Sequence, residues 1–95
     1  MVGPKTKLYW DGITGSALYY VYYRAGTEEY DAARTFNTPD THFDLAALAP
    51  IYAPLTQVFL IVLAYDTATQ AIGFPSTEVS YVIPLPAPSN VRIDY

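Results

Sequence analysis

The runs Tyr19-Tyr20-Val21-Tyr22-Tyr23-Arg24 and Val58-Phe59-Leu60-Ile61-Val62-Leu63-Ala64-Tyr65-Asp66 decide the fold. Both are crowded with aromatic and β-branched residues, the types that fit a pleated surface. With a period of two, Tyr19, Val21, Tyr23, Val58, Leu60 and Val62 turn to one face of a sheet, and Tyr20, Tyr22, Phe59, Ile61 and Leu63 turn to the other. An ordinary solvated face is polar, whereas these strands are apolar on both sides. The second face is therefore either covered, by the loop 49–57 or the strand near Tyr30, or serves as an interaction surface. Tyrosines also stack on sugar rings, but no acidic or amide cluster beside them makes that use specific.

Outward from these runs the whole chain reads as β structure. It has 95 residues, 52% of them hydrophobic, with ten tyrosines and eight prolines and few good helix stretches. Lys5-Thr6-Lys7-Leu8-Tyr9-Trp10 is a strand, and Asp11-Gly12-Ile13-Thr14-Gly15-Ser16 is a turn cluster before the aromatic strand at 17–24. A turn at 25–27, a short strand at 30–36 and the loop Asn37-Thr38-Pro39-Asp40 lead to Thr41-His42-Phe43-Asp44-Leu45. There Phe43 and Leu45 share a face, and 46–48 continues as strand or turn. The loop through Pro50 and Pro54 leads into the strand 56–66, followed by a turn over 67–75 and a closing strand over 77–83. Strands at this spacing in a chain long enough for one core predict a single two-sheet sandwich.

Composition removes several function classes. Cysteine is absent, so neither a disulfide framework nor a cysteine-based metal site is expected. A net charge of −4, from 9 acidic and 5 basic residues spread along the chain, argues against nucleic acid or an anionic membrane as partner. The apolar run 58–65 is far shorter than the ~20 residues of a membrane helix, and no leader-like segment follows Met1. The single His42 and Asp44 share a strand face, where an acid–base pair is conceivable, but there is neither a second histidine nor a glycine-flanked serine. Glu28, Glu29 and Asp31 lie near a turn without the spacing of a calcium loop. No phosphate-cradling glycine motif or glycosylation sequon occurs. No enzyme, cofactor or metal is expected.

Leu8-x-Trp10, Tyr19-x-Val21-x-Tyr23-Arg24, Leu48-x-Pro50, Val58-x-Leu60-x-Val62-x-Ala64-x-Asp66 and Ser76-Thr77-Glu78-Val79-Ser80 together resemble a fibronectin type III domain over nearly the whole chain. They look like the second-strand core pair, the third strand, the turn before the sixth strand, the sixth strand and the start of the seventh. Two departures stand out. The loop 49–57 looks longer than usual, and Val58 stands where the family has a tyrosine whose hydroxyl ties down the corner. Tyr52 is the candidate substitute. The resemblance implies an immunoglobulin-like sandwich and an extracellular or cell-surface setting.

The family's first strand is not found ahead of Lys5. A segment that looks like it lies at the other end, in Pro86-Ala87-Pro88-Ser89-Asn90-Val91-Arg92-Ile93-Asp94-Tyr95, a proline-rich lead-in followed by alternation. Residues 1–84 then form a sandwich core lacking its first strand, and 85–95 a linker and donor strand. Three arrangements follow: a circular permutant whose tail returns to its own 5–10 strand, donation of the tail to another molecule, or a slice of a tandem array. In the family the seventh strand leaves at the pole opposite to where the first begins. A self-returning tail must therefore span a strand of roughly 23 Å before pairing, and 84–90, with three prolines, reaches about 22 Å as polyproline. Donation needs no such detour.

The expected reading is a non-catalytic structural or interaction module that associates head to tail with copies of itself. Val91, Ile93 and Tyr95 are the donor residues, and Leu8 and Trp10 line the acceptor edge. The alternative is a ligand- or protein-binding accessory module of a tandem array, using the Tyr20, Tyr22, Phe59, Ile61 and Leu63 face or the loop 68–75. Partners are other copies or adjacent domains, with another protein as the alternative and neither nucleic acid nor membrane insertion.

Overall fold

Tyr19, Val21, Tyr23 and Ala25 are buried on alternate positions of one eight-residue strand, and every residue between them is half-buried. That strand, β2 (Leu18–Ala25), pairs antiparallel along its full length with β5 (Gln57–Asp66), from Leu18 opposite Tyr65 to Ala25 opposite Val58. The computed structural model describes residues 7–15, 18–86 and 88–94. Within them the chain is an all-β sandwich of two antiparallel sheets, with β1 (Lys7–Tyr9), β3 (Thr35–Thr38), β4 (His42–Asp44), β6 (Ala71–Ile72) and β7 (Val79–Val82) completing the strands. One sheet is the β1–β4 pair, and the other runs β3–β2–β5, with β6 and β7 both laid against the far edge of β5. No helix among the described residues is long and apolar enough to cross a membrane.

The core lies between the sheets. Val21, Tyr23, Val58 and Leu60 from the larger sheet meet Phe43 from the smaller, with Leu45, Leu48 and Ile83 closing one end. Leu8, opposite Phe43 in the β1–β4 register, packs against this cluster together with Trp10. Aromatic rings continue it sideways, because Phe36 stacks on Tyr23 at 5.2 Å and sits 5.0 Å from Phe43.

Several connections differ from the sequence expectation. The stretch read as a strand over 30–36 begins instead with a 3₁₀ turn, Ala32–Arg34, and the strand is Thr35–Thr38. Asp31 drives this by accepting a hydrogen bond from Ala33 N at 3.0 Å, as a helix cap does. Asp44 does the same for Ala46 N at 3.0 Å, which turns Leu45–Leu48 into a second 3₁₀ helix. The turn expected over 67–75 contains the short strand β6, and the closing strand expected from 77 starts at Val79. Positions 5, 6 and 17 of the expected strands, and residues 1–4 and 95, lie outside the described residues.

The registers define two poles. Ala25, Gln57 and Val82 mark the lower pole, and Leu18, Tyr65 and Ile72 mark the upper. β1 runs from lower to upper, since Trp10 reaches the Tyr19 ring at 5.5 Å and the following Gly12 lies against Thr41 and the Tyr19 hydroxyl. A Cβ at Gly12 would stand 3.3 Å from both, so this wrap around Tyr19 suits glycine. Ile13 N donates to that hydroxyl at 2.8 Å.

Packing of this kind predicts unequal costs. Leu60→Ala, at a site 1% exposed, should lower unfolding stability by about 2–5 kcal/mol in urea titrations. Phe74→Ala, at a site 98% exposed, should change it by less than ~0.5 kcal/mol.

Candidate functional site

Along the far edge of β5, regular pairing breaks between β6 and β7. Pro75 has no N–H to give a ladder, and the chain improvises around it. Gly73 N donates to Ala64 O at 2.8 Å and Ser76 N donates to Val62 O at 2.9 Å. The Ser76 Oγ then accepts from Val62 N at 2.9 Å, taking the place of a strand carbonyl. Because 73–78 follows β5 only loosely, the side of the sandwich between this segment and β1 stays open.

Two adjoining apolar clefts occupy that opening. The lower, of about 150 Å³, is lined by Leu8, Trp10, Leu60, Val62, Thr77 and Val79 among others. The upper, of about 190 Å³, is lined chiefly by Trp10, Ile13, Tyr19, Val62 and Phe74. Trp10 and Val62 line both, so one groove follows β1 from mid-sandwich to the upper pole. The structure places the expected acceptor residues Leu8 and Trp10 in this groove, each half-buried. Trp10 carries the one buried side-chain polar atom among the described residues that has no hydrogen-bond partner, its indole Nε1. Among the described residues β1 pairs with β4 alone, so its second edge offers its backbone groups to another strand.

The tail leaves at the other pole from a fixed point. Ile83 is buried, its N donates to Thr56 O at 2.9 Å, and its O accepts from Leu55 N at 2.7 Å. Leu55 makes that bond at φ 68°, a conformation a non-glycine residue rarely takes. Pro84 follows directly. Beyond it, Val91 and Ile93 are 81% and 74% exposed, and residues 88–94 form no strand. Asn90 turns the backbone at φ 56°, and Arg92 returns a bond to Asn90 O and an ion pair to Asp94. Tyr95, named with Val91 and Ile93 as a donor residue, lies outside the described residues.

The outer face of β2 and β5 brings Tyr20, Tyr22, Phe59, Ile61 and Leu63 together, each half-buried, with Tyr20 opposite Leu63 and Tyr22 opposite Ile61. Its lower end is capped: Arg24 lies over the Phe59 ring at 4.6 Å and over Tyr30 at 5.2 Å, and bonds Glu78 at 3.1 Å. Tyr20 leans on Tyr22 and Tyr65. The loop 49–57 does not run over this face where its rings are placed, because Tyr52 packs edge-on against the inward Tyr23 at 6.0 Å.

Tyr52 anchors the lower pole. Its hydroxyl donates to Glu28 Oε1 at 2.7 Å, and the same oxygen accepts Ala25 N at 2.8 Å, tying the long loop to the turn after β2. Partial burial, and then this bond, push the Tyr52 hydroxyl up to about 12, while the Tyr52 bond first and the Ala25 bond second hold Glu28 below its usual range. Tyr30, partly buried and donating to Glu78 at 2.5 Å, is likewise raised to about 12, and its bond lowers Glu78. Glu28 and Asp31 are thus turned toward structural partners, and no group of three or more candidate metal ligands gathers among the described residues. His42 lies 5.9 Å from the Tyr9 ring on the smaller sheet.

No protein-family model matches this chain, and neither a curated protein nor a solved structure matches it. The groove itself escaped the sequence reading, which had Ile13 in a turn, Phe74 within the alternative contact loop 68–75 and Ser76 at the start of a strand, because it forms only where three separate segments meet. Pro75 was the available signal, marking where the ladder must fail.

The raised tyrosines give a signed pH dependence. An unfolded tyrosine ionises near 10 and the folded Tyr52 and Tyr30 near 12, so stability should fall as pH rises from 10 to about 12. Thermal melts of Tyr52→Phe/Tyr30→Phe should show a weaker fall across that window. At the acid end, the lowered Glu28 and Glu78 stabilise above about 4.5, a contribution lost as the pH drops through their folded values.

Proposed function

We propose that this chain is a non-catalytic, fibronectin type III-like interaction module that joins copies of itself head to tail, with residues 88–94 of one copy lying as an added strand beside β1 of the next. The β1–β4 pair facing a β3–β2–β5–β7 sheet supports the family resemblance. One observation carries the functional reading: an apolar groove and a β1 edge unpaired among the described residues open toward the upper pole, while an exposed Val91/Ile93 segment leaves from the lower pole.

Direction follows from chain polarity. A strand antiparallel to β1 must run from the upper pole downward, whereas the tail of the same molecule departs from the lower pole. Stacking one sandwich on the next brings a tail to the groove with the required direction. Donor and acceptor are different surfaces, so the contact is heterologous and extends into a filament unless rotation closes it.

Burying Val91 and Ile93 contributes about 3–6 kcal/mol before association costs, and backbone pairing adds ~0.5–1.5 kcal/mol for each net hydrogen bond. Association itself costs on the order of 4 kcal/mol or more, so the net gain is small and assembly depends on concentration. Light scattering after size-exclusion chromatography tests this. The full chain should form larger species as its concentration rises, and Val91→Asp/Ile93→Asp should stay monomeric. A monomer at every concentration would overturn self-association and turn attention to the Tyr20–Tyr22 face as a site for another ligand.

A further inference from the structure

The upper cleft has features that a strand alone does not use. Three of its walls are aromatic, from Trp10, Tyr19 and Phe74, and Phe74 stands 98% exposed beside it. Trp10 Nε1 is itself buried, so what the cleft presents to a ligand is ring surface. An apolar groove walled by aromatic rings is the chemistry that recognises polyproline. Proline rings lie flat on aromatic faces, and the extended backbone presents carbonyls that its own structure leaves free.

This chain supplies such a segment. Pro84-Leu85-Pro86-Ala87-Pro88 precedes Val91, and the described members of this run are exposed. We infer that the upper cleft is a docking site for the proline-rich linker of a neighbouring copy, with Pro88 in the cleft and Pro86 against Phe74. The inference rests on the head-to-tail reading above and adds a second, chemically different contact to it.

Spacing supports the assignment. The lining of the upper cleft is displaced from that of the lower by about two to three residues on β1, on β5 and on the 74–79 segment alike, which is roughly 7–10 Å. On the donor, Pro88 precedes Val91 by three residues, about 10 Å at extended or polyproline rise. A donor that enters at the upper pole therefore meets the upper cleft with its prolines when Val91 reaches the lower one. The order of clefts along the groove matches the order of segments along the tail.

Trp10 is the only tryptophan, so an amide-correlation spectrum contains a single indole Nε1–H signal. The test titrates blocked peptides of residues 84–90 and 89–95 into the ¹⁵N-labelled full chain, at a concentration where light scattering shows monomer. Packing of the 84–90 peptide against the Trp10 ring should move the indole signal. The same peptide with Pro86→Ala and Pro88→Ala should not, and Phe74→Ala in the protein should weaken binding about 3- to 10-fold. An indole signal unmoved by millimolar 84–90 peptide, or moved equally by the alanine peptide, would overturn the linker site. If in that case Val91→Asp/Ile93→Asp still abolishes oligomers, strand donation stands without it. A proline-dependent shift in a chain that never oligomerises would support the site and count against strand donation.

Discussion

The β2–β5 ladder is the constraint on which the rest of this structure depends. Eight consecutive residue pairs, from Leu18–Tyr65 to Ala25–Val58, lock two apolar strands side by side, and a slip of one residue would exchange their faces. With the register set, Val21, Tyr23, Val58 and Leu60 define the inner face against which Phe43, Leu8 and Trp10 pack. The other face is then bound to carry Tyr20, Tyr22, Ile61 and Leu63. The rest of the larger sheet hangs from the edges of this pair: β3 on β2, and β6 and β7 on β5.

Those edges are finished unequally, and the inequality gives the molecule a direction. At the lower pole the chain is cinched by Ile83 between Leu55 and Thr56, and by Tyr52 against Glu28. On the upper half of the β5 edge, Gly73 and Ser76 supply only isolated bonds, and the small sheet faces them across an unfilled groove. A well-tied end from which an exposed tail departs, and an open flank on the other half, are the two features on which the proposed head-to-tail assembly rests. The proposed contact would bury a few side chains and form a short ladder.

Much of the fold was legible from residues, because alternation in 19–24 and 58–66 reports directly on burial. Tyr19, Val21, Tyr23, Val58 and Leu60 are buried, while Val62, expected with them, is only half-buried because it lines the groove. The 3₁₀ turns after Asp31 and Asp44 were less legible, since an aspartate cap before short alanine-rich stretches competes with weak strand signals at the same positions. Tyr52 was visible as a candidate anchor for the long loop, but its partner Glu28 was not, because the two lie far apart in sequence and meet only at the lower pole. The groove depends on Trp10 with Ile13, Val62 and Phe74 converging from three segments, which local pattern cannot express.

The most direct test of the central claim uses the absence of cysteine. Tyr9→Cys places a thiol on the exposed side of β1, and Arg92→Cys or Asp94→Cys places one on the tail. Oxidation of the double variant, followed by non-reducing electrophoresis over a concentration series, distinguishes the arrangements. Head-to-tail strand donation predicts a ladder of covalent oligomers that lengthens with concentration. A fast-migrating cyclised monomer at every concentration, or no cross-linked product, would contradict it.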